Sequence, residues 1–121
     1  MKTFRDLLVW QKSMEVVKNI YQITNQFPRV EEYGLTSQMK RCCISIPLNI
    51  AEGFNRKTTK EYIQFVFIAY GSCSEFETQL EIANMLKYVS RSQYESVLSE
   101  VLEISKMLNG LIRSLSSKLS R

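Results

Sequence analysis

Apolar residues recur at alternating steps of three and four along most of the chain. In the first segment Leu7, Trp10, Met14, Val17, Tyr21 and Thr24 keep this spacing, which places them on one face of an α-helix. Thr3 or Asp6 can cap its free backbone N–H groups. Pro28 closes it, because the residue before a proline is pushed out of the helical region. These limits predict a helix near residues 6 to 26. A second run, Leu35, Met39, Cys42, Ile46 and Ile50, holds the same period up to Gly53, a residue suited to a helix C-terminus, and predicts a helix over 35–52. Pro47 lies inside it. It lacks an N–H and its ring meets the carbonyl of Cys43, so a kink is expected there.

Thr58 and Glu61 have the spacing of a capping box at the head of a third helix, near 59–87, with a seam through Tyr62, Phe65, Ala69, Cys73, Phe76, Leu80 and Ala83. Ser90 and Gln93 repeat the device, and Val89 and Tyr94 are placed as a hydrophobic staple. Tyr94, Val97, Val101, Ile104, Leu108, Leu111 and Leu115 then predict a fourth helix near 91–116, with fraying expected in the Ser/Lys/Arg-rich tail, Ser114 to Arg121. Four amphipathic helices joined by polar turns, with no alternating strand pattern, pack most simply as one all-α domain over residues 1–121, an up-down-up-down antiparallel four-helix bundle. Polar residues interrupt the apolar runs at Tyr33, Thr36 and Gln38 and at Asn49 and Glu52, where capping and repair of the proline kink explain them.

The third helix carries more apolar surface than one bundle face needs. Ile63, Phe67 and Tyr70 follow the helical period beside its main seam, and exposing them in a monomer would leave a patch of the kind that marks a protein interface. Contact between copies of the chain is therefore expected through these three residues.

Composition narrows the chemistry. The 121 residues, 45% apolar and 23% charged with 4 Gly and 2 Pro, form a globular balance far from that of disordered chains. There is no histidine. That removes the commonest general base and metal ligand together with the Ser-His and Cys-His nucleophile systems. A ferritin-like di-iron site, which needs Glu-x-x-His, is excluded with them. Glu75, Glu77 and Glu81 lie within two turns of one another, and without partners they read as surface groups, so no catalysis, metal or cofactor is expected. Cys42, Cys43 and Cys73 are odd in number and lack a C-x-x-C spacing, which fits a reducing cytoplasm better than a disulfide framework or a zinc site. The most apolar stretch, Tyr62 to Ser74, is too short to span a bilayer.

Lys and Arg outnumber Asp and Glu by 16 to 12. Lys40 and Arg41 sit on the second helix, Arg56, Lys57 and Lys60 at the following turn, and Lys106, Arg113, Lys118 and Arg121 in a segment from Ile104 onward that contains no acid. Basic clusters of this kind neutralise phosphates when the fold brings them onto one surface.

Four motifs add a resemblance. They are Phe4-Arg5-Asp6-Leu7-Leu8-Val9-Trp10-Gln11-Lys12; Tyr33-Gly34-Leu35-Thr36-Ser37-Gln38; Ser45-Ile46-Pro47 with Asn49-Ile50-Ala51-Glu52-Gly53; and Gly71-Ser72 with Ser74-Glu75 and Glu77-Thr78-Gln79-Leu80. Together they make the chain resemble the small bacterial four-helix-bundle proteins called 23S rRNA-intervening-sequence or S23-type proteins, with departures at Cys42-Cys43 and Leu48, where smaller residues are usual. The resemblance implies a homo-oligomer, pentameric in form, with no known catalysis, whose relatives are often encoded inside insertions in ribosomal RNA genes. The chain is also similar to the accessory variability protein of diversity-generating retroelements, which implies nucleic-acid binding and partnership with a reverse transcriptase. The expected function is thus non-enzymatic binding of structured RNA or an RNA/DNA hybrid by an oligomer. A protein adaptor or assembly scaffold for a polypeptide partner is the alternative.

Overall fold

The computed structural model describes residues 1–120, so the expectation for Arg121 lies outside the described residues. The chain opens with a 3-10 turn, Phe4–Asp6, closed by a capping box. Thr3 Oγ1 accepts from the Arg5 N–H, while the Asp6 carboxylate accepts from the N–H groups of Lys2 and Thr3. These bonds stabilise the anion and hold the Asp6 carboxyl below its ordinary range. Helix α1 (Leu8–Thr24) follows, then a second 3-10 turn, Arg29–Glu31, just past Pro28. Helices α2 (Leu35–Phe54), α3 (Thr59–Met85) and α4 (Arg91–Leu119) complete the bundle.

Each helix packs on its chain neighbours, and α4 closes the ring against α1. Partners across the seams run in opposite senses. Lys12, Asn19 and Gln26 of the first segment meet Glu103, Glu100 and Gln93 of α4 in turn, and along α2 the Cys42 thiol meets the Ser72 carbonyl while Gly53 meets Tyr62 and Phe65. The core runs down the axis through Val16, Ile20, Met39, Ile46, Ile50, Phe76, Leu80, Ile104 and Leu108, all essentially sealed from water.

Two faces differ from the sequence expectation. Around α1 Leu7 and Thr24 are buried as expected. Between them the buried stripe is Val9, Ser13, Val16 and Ile20, one position from the expected Trp10, Met14, Val17 and Tyr21, and Met14 and Tyr21 are exposed. The two hydroxyls tolerate burial because they bond within their own helix, Ser13 to the Val9 and Trp10 carbonyls and Thr24 to the Ile20 carbonyl. On α3 the seam starts at Ile63 and Val66, with Tyr62 and Phe65 only half-buried. From Ala69 onward the expected seam is the observed one.

The ends show similar small differences. Helix α2 continues unbroken through the buried Pro47, and the Asn49 side chain donates to the Ser45 carbonyl in the turn around it. Ser90 and Gln93 form the full capping box. At Thr58 only half of one forms: its hydroxyl accepts from the Glu61 N–H and donates to the Glu61 carboxylate, leaving its own N–H to others. The start of α2 is capped from a distance. Gly34 has no side chain to offer, and Glu31 accepts from the Leu35 N–H while its other oxygen accepts from the Tyr88 hydroxyl. Helix α4 persists through Ser114–Leu119, beyond the expected fraying point, with Leu115 buried.

At Gly53 helices α2 and α3 approach closely. A Cβ there would lie 2.9 Å from the Phe65 Cβ and 3.2 Å from the Tyr62 carbonyl oxygen, neither of which can swing aside. Gly53→Ala is therefore expected to destabilise the protein by about 1 to 3 kcal/mol through overpacking, despite alanine's better helix propensity. Gly110→Ala, with open space around its Cβ, is expected to stabilise by roughly 0.5 to 1 kcal/mol. Urea titration of the two variants checks the opposite signs.

Candidate nucleic-acid interface

The antiparallel order gathers three separate stretches of sequence at one end of the bundle: the N-terminal turn, the α2–α3 connection and the end of α4. Lys2, Arg5, Arg56, Lys57, Lys60, Arg113 and Lys118 lie there, against Asp6, Glu52 and Glu61. The rest of the described chain holds eight basic residues to nine acidic ones, so the positive charge of the molecule is concentrated at this end. Such a concentration produces a field that attracts and orients a polyanion.

The basic residues singled out in the sequence have different surroundings. Arg56 is held in place, with Glu52 and Glu61 at 3.7 and 3.9 Å and its guanidinium 4.7 Å from the centre of the Phe65 ring. Its charge is largely answered within the fold. Lys57, Lys60, Arg113 and Lys118 are exposed and have no ion-pair partner among the described residues. Lys40 is half-buried with its ammonium 4.7 Å from the centre of the Tyr21 ring. Lys40 and Arg41 are some sixteen residues before Arg56 on α2, about 24 Å at 1.5 Å per residue, so the two groups do not share one surface. Lys106 likewise sits about 18 Å back along α4 from Lys118. The joining of Lys57 and Lys60 with Arg113 and Lys118 follows from the helix order. Lys2 and Arg5 were missed because nothing local marks them; only the antiparallel arrangement brings them in.

The three residues expected at a contact between copies separate as well. Ile63 is 9% exposed and belongs to the core, a correction that follows from the rotation of α3 toward Ile63 and Val66. Phe67 is 55% exposed. Tyr70 is half-buried against the core. A second apolar surface was not foreseen: Phe4, Trp10, Met14, Val17, Ile44, Pro47 and Leu48 line a groove of about 430 Å³ between α1 and α2. It contains the large residues that the sequence pattern assigned to the α1 core.

A groove of about 410 Å³ between α2 and α3 is different in character, lined by Gln38, Arg41, Cys42, Ser45, Ile68, Ser72, Glu75 and Gln79. Its two serines are joined by a hydrogen bond and tied to Asn49 beside them. The Ser45 and Ser72 hydroxyls lie 2.9 Å apart, and the Asn49 amide donates to both the carbonyl and the hydroxyl of Ser45. Oε1 of Gln79 is buried and accepts no hydrogen bond. Of the other glutamates on this helix, Glu81 accepts from the Tyr94 hydroxyl across the α3–α4 seam.

The thiols are chemically quiet. Burial, with the Glu75 carboxylate adding to it, pushes Cys42 up to about 11, and burial raises Cys43 and Cys73 to about 12. The thiolate is the nucleophile, so none of the three is poised for catalysis. Among the described residues no group of His, Cys, Asp or Glu converges to hold a metal ion. Ellman's reagent at pH 8 is expected to leave the native protein unmodified and to titrate three thiols in denaturant. Raised thiol values also mean that the folded state holds protons the unfolded state has lost, so stability falls as pH rises from about 9 toward 12. Thermal midpoints measured from pH 7 to 10.5 check this.

No helix of the described residues is long and apolar enough to cross a membrane. A family model described as 23S rRNA-intervening sequence protein matches residues 5–110. The chain is also similar to a crystal structure of a protein with unknown function from the S23 ribosomal protein family of Bacteroides thetaiotaomicron VPI-5482. That structure is 30% identical, with a TM-score of 0.79, and the match covers 87% of this chain and 98% of that one. Among curated proteins none matches significantly.

Proposed function

Since the chain belongs to the 23S rRNA-intervening sequence protein family, we propose that it binds nucleic acid, RNA foremost, through phosphate contacts at the cationic end of its bundle, without catalysing a reaction. One observation carries this reading: Lys57, Lys60, Arg113 and Lys118, distant in sequence, share one end and have no ion-pair partner among the described residues. Cations that folding leaves unanswered are the ones that displace counterions from a polyanion. A family name that refers to ribosomal RNA supports the same partner. Three protonated, buried thiols suit a reducing cytoplasm.

Fluorescence anisotropy with a labelled RNA hairpin, from 50 to 300 mM salt, tests it. Four phosphate contacts give a slope of about −3.6 for log affinity against log salt on a B-form duplex and about −2.8 on a single strand. A flat salt dependence refutes the phosphate reading. The adaptor alternative rests on the apolar α1–α2 groove, and salt-insensitive binding of a single defined polypeptide would favour it.

Self-assembly belongs to the same proposal, because repeating the cationic end in an oligomer makes the binding multivalent. Phe67 is the expected contact residue that the fold leaves exposed. Phe67→Glu is expected to lower the mass seen by light scattering while leaving the helical circular dichroism intact, since a charge at a contact weakens association before it disturbs a core. An oligomer of unchanged mass would remove Phe67 from the contact.

A further inference from the structure

Resting on the nucleic-acid reading, we propose that the polar groove between α2 and α3 receives an unpaired guanine base. The cationic end supplies contacts to phosphate, which hold a strand without reading it. The groove begins about 12 Å along α2 from Gly53, counting the eight residues back to Ser45, a distance that a few nucleotides of extended strand cover. It lies beside the cationic end and is separate from it.

The inventory of the groove decides what it suits. Ser45, Ser72 and Asn49 are tied to one another, which fixes the serine side of the groove. The other polar groups on its lining are Gln38, Arg41, Glu75 and the amide of Gln79, with Ile68 half exposed among them. Arg41 supplies a fork of donors, and arginine's preferred base partner is the O6/N7 edge of guanine. Glu75 is acceptor-only when ionised, matching the N1–H and N2–H donors on guanine's other edge. Gln79 holds an acceptor with no donor, closed to solvent in the free protein; a turn of its side chain toward the groove would let an arriving N–H complete its bonding. Ile68 offers an apolar surface to the ring face.

The other bases fit this set less well. Adenine places an amino donor where guanine has O6, opposing the Arg41 donors, and lacks the N1–H and N2–H pair. The groove's volume, about 410 Å³, leaves room for a purine.

The experiment uses RNA hairpins identical but for one unpaired loop nucleotide. The guanine loop is expected to bind at least about tenfold tighter than the adenine, cytosine and uracil loops, with an inosine loop, which lacks the 2-amino group, in between. Glu75→Gln, an exposed position, and Gln79→Leu should each bring the four loops within about threefold of one another and leave the salt slope as in the wild type. Equal affinity for all four loops with a steep salt slope would overturn the groove and leave the phosphate reading standing. If no hairpin binds, the phosphate reading fails, and the groove is judged by titrating guanosine and adenosine monophosphates against the 15N-labelled protein. Shifts confined to the groove with the guanine nucleotide support it; none, or equal shifts with both, overturn it.

Discussion

Phe76→Ala is expected to lower the thermal midpoint by about 10 to 25 °C. Phe76 is the largest side chain sealed completely in the core, on the inward face of α3 between Cys73 and Leu80. Removing its ring forfeits the transfer free energy of the buried surface and leaves a cavity that the surrounding helices can only partly close, a cost of about 3 to 5 kcal/mol. That is a large share of the roughly 5 to 15 kcal/mol that holds a domain together. At about 3 to 5 °C per kcal/mol for a chain of this size, interpolating between shorter and longer domains, the expected range follows. Phe67→Ala provides the contrast. Its ring is more than half exposed, so a monomeric form should lose less than about 1 kcal/mol. Differential scanning calorimetry of both variants decides it, and a shift below about 5 °C for Phe76→Ala would mean that the core is not centred where the structure puts it.

The second large effect concerns the cationic end. Replacing Lys57, Lys60, Arg113 and Lys118 together with glutamine is expected to weaken binding about a thousandfold at 0.15 M salt. Each lost phosphate contact removes about 0.9 from the slope of log affinity against log salt on a duplex, so four remove about 3.6, and the lines for variant and wild type converge toward 1 M salt. The four are exposed and make no ion pair among the described residues, so the variant should melt like the wild type. Arg56→Gln is expected to behave in reverse. Its guanidinium is engaged by Glu52, Glu61 and the Phe65 ring, so its loss should affect the α2–α3 turn more than the salt slope. A quadruple variant with unchanged slope would remove these four from the site, with Lys2 and Arg5 at the same end and Lys40, Arg41 and Lys106 elsewhere the remaining candidates.

The helices were legible in the sequence because their period and punctuation agree. Ser90 with Gln93 caps α4, and Pro28 follows the end of α1 closely. The faces were less legible. On α1 the larger residues Trp10, Met14 and Tyr21 outweigh Ser13 and Val16 in any count of hydrophobicity, yet a core packed this closely takes the smaller set, and the self-satisfied hydroxyl of Ser13 hides its suitability for burial. The first half of α3 is apolar nearly all round, so period alone does not separate Ile63 and Val66 from Tyr62 and Phe65. Individual cationic residues were legible, whereas their grouping depended on helix order, and the internal ion pairs of Arg56 depended on side-chain geometry that spacing does not encode. The unsatisfied amide of Gln79 has no sequence signature at all.

The seams of the bundle are unequal, and this bears on how it opens. Helices α2 and α3 are joined by a four-residue connection and lie against each other closely at Gly53, Cys42 and Ser72. Across the α1–α4 seam the bridging groups are instead half-exposed and polar, Lys12 with Glu103 and Asn19 with Glu100, and such surface pairs contribute little. The chain must also close its longest loop to form that seam, which makes it the last contact to repay its entropy. Amide protons on α1 should therefore exchange through a partial opening that leaves the α2–α3 hairpin intact. In that open state the apolar faces of α1 and α4 are uncovered together, and this is the form through which two copies would exchange helices.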